Sequence, residues 1–159
     1  MARELARIEV KVLGKKRFGI VYTEDENNQE IAESFKETII KNNAKLLYFR
    51  SVKKDRKSFI PIILRLRELK LQVVFFAGPL EQGAYFAKEM KELKTGAYFS
   101  SINTILSKRF IRLAKKGAEG ALSQARQDAG AGHATQEGQG LLRQGQKHLR
   151  RAWLVFLPV

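Results

Sequence analysis

Cysteine is absent from the 159 residues, which excludes disulfides and thiolate metal sites but leaves the compartment open, since proteins of oxidising and reducing compartments alike can lack it. Histidine is nearly absent. His133 and His148 both lie in a poorly patterned C-terminal region, so no imidazole-based catalytic or metal site is expected in the folded part. Acidic residues are in the minority, 16 against 30 Lys and Arg, for a net charge of +14. Such a balance raises nucleic acid as a partner. Here the cations are interleaved along helix faces (Arg65, Arg67, Lys70; Lys88, Lys91, Lys94), and the clusters Lys15-Lys16-Arg17 and Lys53-Lys54-Asp55-Arg56-Lys57 sit at opposite ends of strands. A solvated basic surface is the simpler expectation, with no nucleic-acid partner. Long apolar runs are missing too, so no direct membrane insertion is expected. Met1 to Gly14 is charged and amphipathic rather than a signal peptide with an apolar centre.

The 44% hydrophobic fraction suits one soluble domain plus a tail. Its organising stretch runs from Lys16 to Asn43. Phe18-Gly19-Ile20-Val21-Tyr22 carries no charge and is β-branched at its centre, as a strand buried on both faces requires. The acidic turn Thr23 to Asn28 follows, then a helical stripe of Ile31, Phe35 and Ile39 with Ala32 beside it. Asn27 with Glu30 reads as the cap and its capping-box partner. The unit recurs. Apolar runs at Leu46–Phe49, Val73–Phe76 and Ala97–Phe99 each precede a helical pattern, at a spacing that suits right-handed βαβ crossovers.

In chain order, Met1 to Leu13 is expected to be a helix closed by Gly14, followed by strands Lys45–Val52, Leu71–Ala77 and Gly96–Phe99 after the first. The intervening helices are Phe59–Lys70, capped by Ser58 with Pro61 in its first turn, and Leu80–Leu93. Ser100–Leu106 reads as a loop, and Ser107 as the cap of Lys108–Lys116. From Ser123 the composition shifts to Gly, Ala, Gln and Arg without period, ending in the apolar Trp153–Val159. The fold class is therefore α/β: a doubly wound parallel sheet of about four strands ordered 2-1-3-4, residues 1–122, with an irregular tail, residues 123–159.

Such a sheet binds ligands at the carboxyl ends of its strands, here Thr23–Asn28, Arg50–Lys57, Ala77–Gln82 and Ser100–Ile105. These loops hold no Gly-rich phosphate motif, and the first is acidic, so nucleotide and flavin cofactors are not expected. No catalytic triad or nucleophile elbow is present. Enzymatic activity is not expected, and no cofactor is implied. Glu24 and Asp25 after the first strand are similar to the metal-holding acids of phospho-receiver domains, the alternative function. The third strand, however, ends in Ala77-Gly78-Pro79 where a receiver carries its acceptor carboxylate. Acids placed to complement a helix dipole explain Glu24, Asp25 and Glu26 more simply.

The succession Gly14-Lys15-Lys16-Arg17-Phe18-Gly19-Ile20-Val21-Tyr22, Gln29 to Lys36, Asp55 to Ser58, Val73-Val74-Phe75-Phe76-Ala77-Gly78 and Ala114 to Leu122 resembles the second lobe of a type I periplasmic binding protein, of the leucine/isoleucine/valine-binding kind. That resemblance covers Ala2 to Leu122. It implies solute binding for an ABC importer, a small-molecule ligand such as an amino acid, a permease partner for the intact protein and a periplasmic location for the intact family member. The family's aromatic-Gly pair falls on Asn27-Asn28, its aromatic residue after the third strand on Pro79-Leu80, and its ammonium-binding acid near Ser101. Asn27, Leu80 and Ser101 are accordingly the expected cleft-lining residues. Set against the family, the chain is expected to be an incomplete lobe, with residues 123–159 a basic tail or an out-of-frame translation.

Overall fold

The structure, a computed structural model, describes residues 1–102, 107–119, 121–125 and 153–156. Helix α1 (Ala2–Lys11) leads into β1 (Arg17–Thr23) through Gly14, whose φ of +66° is the left-handed turn that glycine accommodates. Then come α2 (Glu26–Lys41), β2 (Lys45–Val52), α3 (Ile60–Glu68), β3 (Val73–Ala77), α4 (Leu80–Glu92), β4 (Tyr98–Ile102) and α5 (Lys108–Ala114). A 3-10 turn, Lys115–Ala118, continues α5 before β5 (Leu122–Ala125), and β6 is Trp153–Phe156.

The strands form one sheet in the order β2-β1-β3-β4-β5-β6. The expected four-strand order holds within it, and every pair from β2 to β5 is parallel. The sheet extends further than the sequence patterning suggests. Strand β5 crosses the 122/123 boundary, and β6 pairs antiparallel with it, Leu122 opposite Phe156. Short strands at a sheet's margin leave little periodicity to detect. Residues 126–152, the greater part of the tail read as irregular, lie outside the described residues.

Two apolar layers bury the sheet. On one face α1 and α2 supply Leu5, Ile8, Ala32, Phe35 and Ile39 against Phe18, Ile20 and Phe75. The Phe35 and Phe75 rings stack at 4.0 Å. On the other, α3, α4 and α5 supply Phe59, Ile63, Leu66, Phe86, Met90 and Phe110 against Val74, Phe76 and Phe99. Burial on both faces is what an all-parallel core demands, and it explains the uncharged strands. Among the described residues no helix is long and apolar enough to cross a membrane.

Three local expectations are corrected. The α2 cap is Asp25, two residues before Asn27, because the Asp25 carboxylate reaches the Asn28 amide. Ser58 makes no cap for α3; the Phe59 amide donates instead to Glu89 Oε2 of α4 at 2.7 Å. Strand β4 begins at Tyr98 and takes in Ser100 and Ser101, which the sequence places in a loop. Their hydroxyls find partners inside the fold, and so two polar residues are tolerated in a buried strand.

Candidate ligand-binding edge

All the parallel strands end at one edge, where the loops after β1, β2 and β3 meet. At the end of β1 the Asp25 side chain accepts from the Asn28 amide (2.9 Å), from Asn28 Nδ2 (2.6 Å) and from the Thr23 hydroxyl (3.1 Å). Lys54 of the β2–α3 loop stands 3.9 Å away. The backbone hydrogen bond from Asn28, with the side-chain bonds and the Lys54 charge behind it, holds the Asp25 carboxyl below its ordinary range despite the opposing effect of burial. The carboxylate is thus an ionised helix cap. Asp25→Ala should cost about 1 kcal/mol of stability, checked by urea unfolding, and Asp25→Asn should recover much of it.

Beside this cap lies an open pocket of about 410 Å³, lined by Glu24, Ser51, Val52, Lys53, Asp55 and Arg56. Its walls carry both signs of charge. The Ser51 hydroxyl donates to Glu24 at 3.4 Å, and Arg56 Nε donates to the Ser58 carbonyl at 2.9 Å. Neither Lys53 nor Asp55 is in an ion pair among the described residues. The loop is held from beneath by Gln82 of α4, whose Nε2 donates to the carbonyls of Lys53 (3.1 Å) and Arg56 (2.9 Å). Gln82 is buried and its Oε1 has no partner. Two donations from one amide fix both ends of the pocket's basic wall.

The residues expected to line a cleft stand at the ends of three adjacent strands. Asn27 is exposed in the first turn of α2, Leu80 is half-buried as the first residue of α4, and Ser101 is buried in β4. The Ser101 hydroxyl donates to the Phe76 carbonyl at 2.9 Å. None of the three lines the 410 Å³ pocket, which sits one strand further out, between the ends of β1 and β2. Glu24 faces Ser51 and Asp25 caps a helix, an arrangement that favours the dipole reading of these acids over a receiver site.

No protein-family model matches the sequence, and no curated protein does. Solved structures do. A leucine-binding protein from Thermotoga maritima superposes with a TM-score of 0.74 at 12% identity, over 96% of this chain and 43% of that one. A solute-binding protein of an R. palustris ABC transporter, in complex with 4-hydroxybenzoate, gives 0.72 at 19% identity over 92% and 40%. A type 1 periplasmic binding protein from Bordetella pertussis gives 0.68 at 15% over 89% and 39%. The chain has the fold of one lobe of a type I periplasmic binding protein. It spans about two fifths of the length of these proteins.

Within this lobe the loops to inspect were visible in the sequence, since pocket residues Glu24, Ser51, Lys53, Asp55 and Arg56 all fall in the stretches after the first and second strands. Gln82 was not. It sits on the buried side of α4 next to Gly83 and Ala84, and a polar residue among small buried ones is the signal that a nearby loop needs donors.

Proposed function

We propose that this lobe recognises a small carboxylate-bearing solute, amino-acid-like in character, as part of the periplasmic solute-binding component of an ABC-type importer, with a second lobe closing over it and a membrane permease as partner. The reading assigns binding without catalysis. The observation that carries it is the open, two-signed pocket at the carboxyl ends of β1 and β2, on a rigid base tied by Gln82. Lys53 and Arg56 supply cations for a carboxylate, while Glu24 and Asp55 supply anions for an ammonium. The names of the similar structures support the ligand class, since leucine and 4-hydroxybenzoate are both carboxylates. In this reading Asn27, Leu80 and Ser101 line the neighbouring part of the cleft.

A single lobe offers one wall, so affinity should be weak, on the order of 1 mM, or roughly 4 kcal/mol. Titrating the full chain with leucine and with benzoate while following backbone amide resonances should move the signals of Ser51, Lys53 and Arg56, with smaller shifts at Asn27 and Leu80. Arg56→Ala should reduce the affinity for both by about tenfold, as loss of one charge-assisted hydrogen bond predicts. Shifts confined to the opposite edge, or none for any carboxylate, would overturn the assignment.

A further inference from the structure

The opposite edge of the sheet, where the strands begin and the helices end, gathers positive charge that is scattered in the sequence. Lys16 and Lys45 stand at the starts of β1 and β2, Lys41 ends α2, Lys70 and Lys94 follow α3 and α4, and Lys115 follows α5. All six are exposed, and none forms an ion pair among the described residues. They come from the sheet and from both helix layers, so they cover an area rather than a line.

Two further observations set these lysines apart. Lys70, Lys94 and Lys115 hold φ values of 51°, 52° and 51°, a backbone region that glycine enters freely and L residues enter at a cost. Three helix ends where glycine is the usual solution carry lysine instead. Two arginines at this edge, in contrast, bond to helix-end carbonyls. Arg17 donates to the carbonyls of Leu69 (2.7 Å) and Lys70 (3.2 Å), and Arg67 to that of Leu93 (3.1 Å), covering the ends of α3 and α4. The helix ends thus already have donors, and the lysine ammonium groups remain directed to solvent.

We propose that this edge is an electrostatic docking face for an anionic lipid bilayer. A two-dimensional array of flexible point charges matches a planar anionic surface, which all the lysines reach together. A nucleic acid is better served by arginine forks and exposed rings. Here Arg17 and Arg67 are engaged, and Tyr98, an aromatic exposed at this edge, lies under the Lys15 ammonium at 4.5 Å from the ring centre. Ile40, exposed next to Lys41 at the end of α2, is a single apolar side chain against six lysines, so contact is chiefly by charge, without insertion. The face points away from the solute pocket, so docking leaves that edge open.

The test is co-sedimentation of the full chain with vesicles of phosphatidylglycerol and phosphatidylcholine, against vesicles of phosphatidylcholine alone. The parent should bind the anionic vesicles at low salt, ignore the neutral ones and be released at high salt. The triple variant Lys70→Gly, Lys94→Gly, Lys115→Gly relieves backbone strain while removing three charges. It should melt no lower than the parent and bind on the order of a hundredfold more weakly, at about fivefold per lysine. If that variant fails to fold, Lys16→Gln, Lys41→Gln, Lys45→Gln removes three charges from ordinary backbone and should weaken binding similarly. The control Lys54→Gln, Lys57→Gln, Lys108→Gln, at the other edge, should bind nearly as the parent does. Equal losses in control and test variants overturn the proposal, as does absence of binding at low salt. Preference for a DNA duplex over the anionic vesicles at equal salt also overturns it and transfers the face to nucleic acid.

Discussion

Raising the pH from about 5 to about 8 should weaken this protein by on the order of 4 kcal/mol, the reverse of the usual behaviour of a carboxylate, and Glu9→Gln should remove that dependence. Glu9 is fully buried under α1, among the side chains that pack on Phe18, Ile20 and Phe75. Burial pushes its pKa up from 4.5 to about 8, against the lowering effects of the Ser100 hydroxyl, which donates to Glu9 Oε1, and of the Lys15 charge. Its Oε2 has no partner. The folded state therefore keeps a proton that the unfolded chain has already released. Stability is complete below the unfolded pKa near 4.5, declines through the interval up to about 8, and is level above it. Urea unfolding of parent and Glu9→Gln across that range isolates the group, because every other titration is shared. A difference between the two that does not change with pH would show that Glu9 reaches water. Glu9→Leu, which replaces the acid by an apolar group, should exceed the parent in stability at pH 8, since no charge then has to be buried.

Glu9 also shows where patterning stops. The residues Leu5, Ile8, Glu9 and Val12 form a single helical stripe, so the acid was on the apolar side all along. Its burial follows from the position of β4, whose Ser100 supplies a side-chain donor to it. That strand was legible only in its first half. Two serines look like loop until Glu9 and the Phe76 carbonyl are seen to satisfy them. Strand β3 and, after Arg17, β1 were plain because burial on both faces leaves no room for charge. Loops holding the pocket could be named from topology alone. Which side chains face the cavity could not, since Lys53 and Arg56 are positioned by two hydrogen bonds from Gln82, 29 and 26 residues away. The same distinction separates the two edges. Charge count predicts a basic surface, but only the strand order and the helix ends reveal that six of its exposed lysines share one edge.

Phe76→Ala should cost about 3–5 kcal/mol and should loosen the ligand edge more than the rest of the lobe. The ring is fully buried and lies 5.3 Å from that of Phe86, 6.1 Å from Phe59 and 6.3 Å from Phe99, so it joins α3, α4 and β4 through one side chain. It also underlies the β3–α4 turn: a methyl group placed on Gly78 would stand 2.7 Å from the ring, and one on Gly83 3.4 Å. Removing the ring leaves a cavity directly beneath Gly78 and Gly83, the neighbour of Gln82, and the surrounding aromatics can collapse into it only in part. Urea unfolding measures the overall loss, a large share of the 5–15 kcal/mol typical of a domain. Amide exchange locates it. Protection should fall most from Gly78 to Ala84 and in the Lys53–Arg56 loop that Gln82 holds, and least in α2, which packs on the other face against Phe18 and Phe75. Phe76→Leu fills more of the space and should lie between the two. A uniform loss of protection across both faces would mean that the lobe unfolds as one unit and that Phe76 has no special hold on the edge. Carboxylate titration of the Phe76→Ala protein below its unfolding midpoint then connects packing to function. A solute that still shifts Lys53 and Arg56 with parental affinity would separate the pocket from its aromatic base.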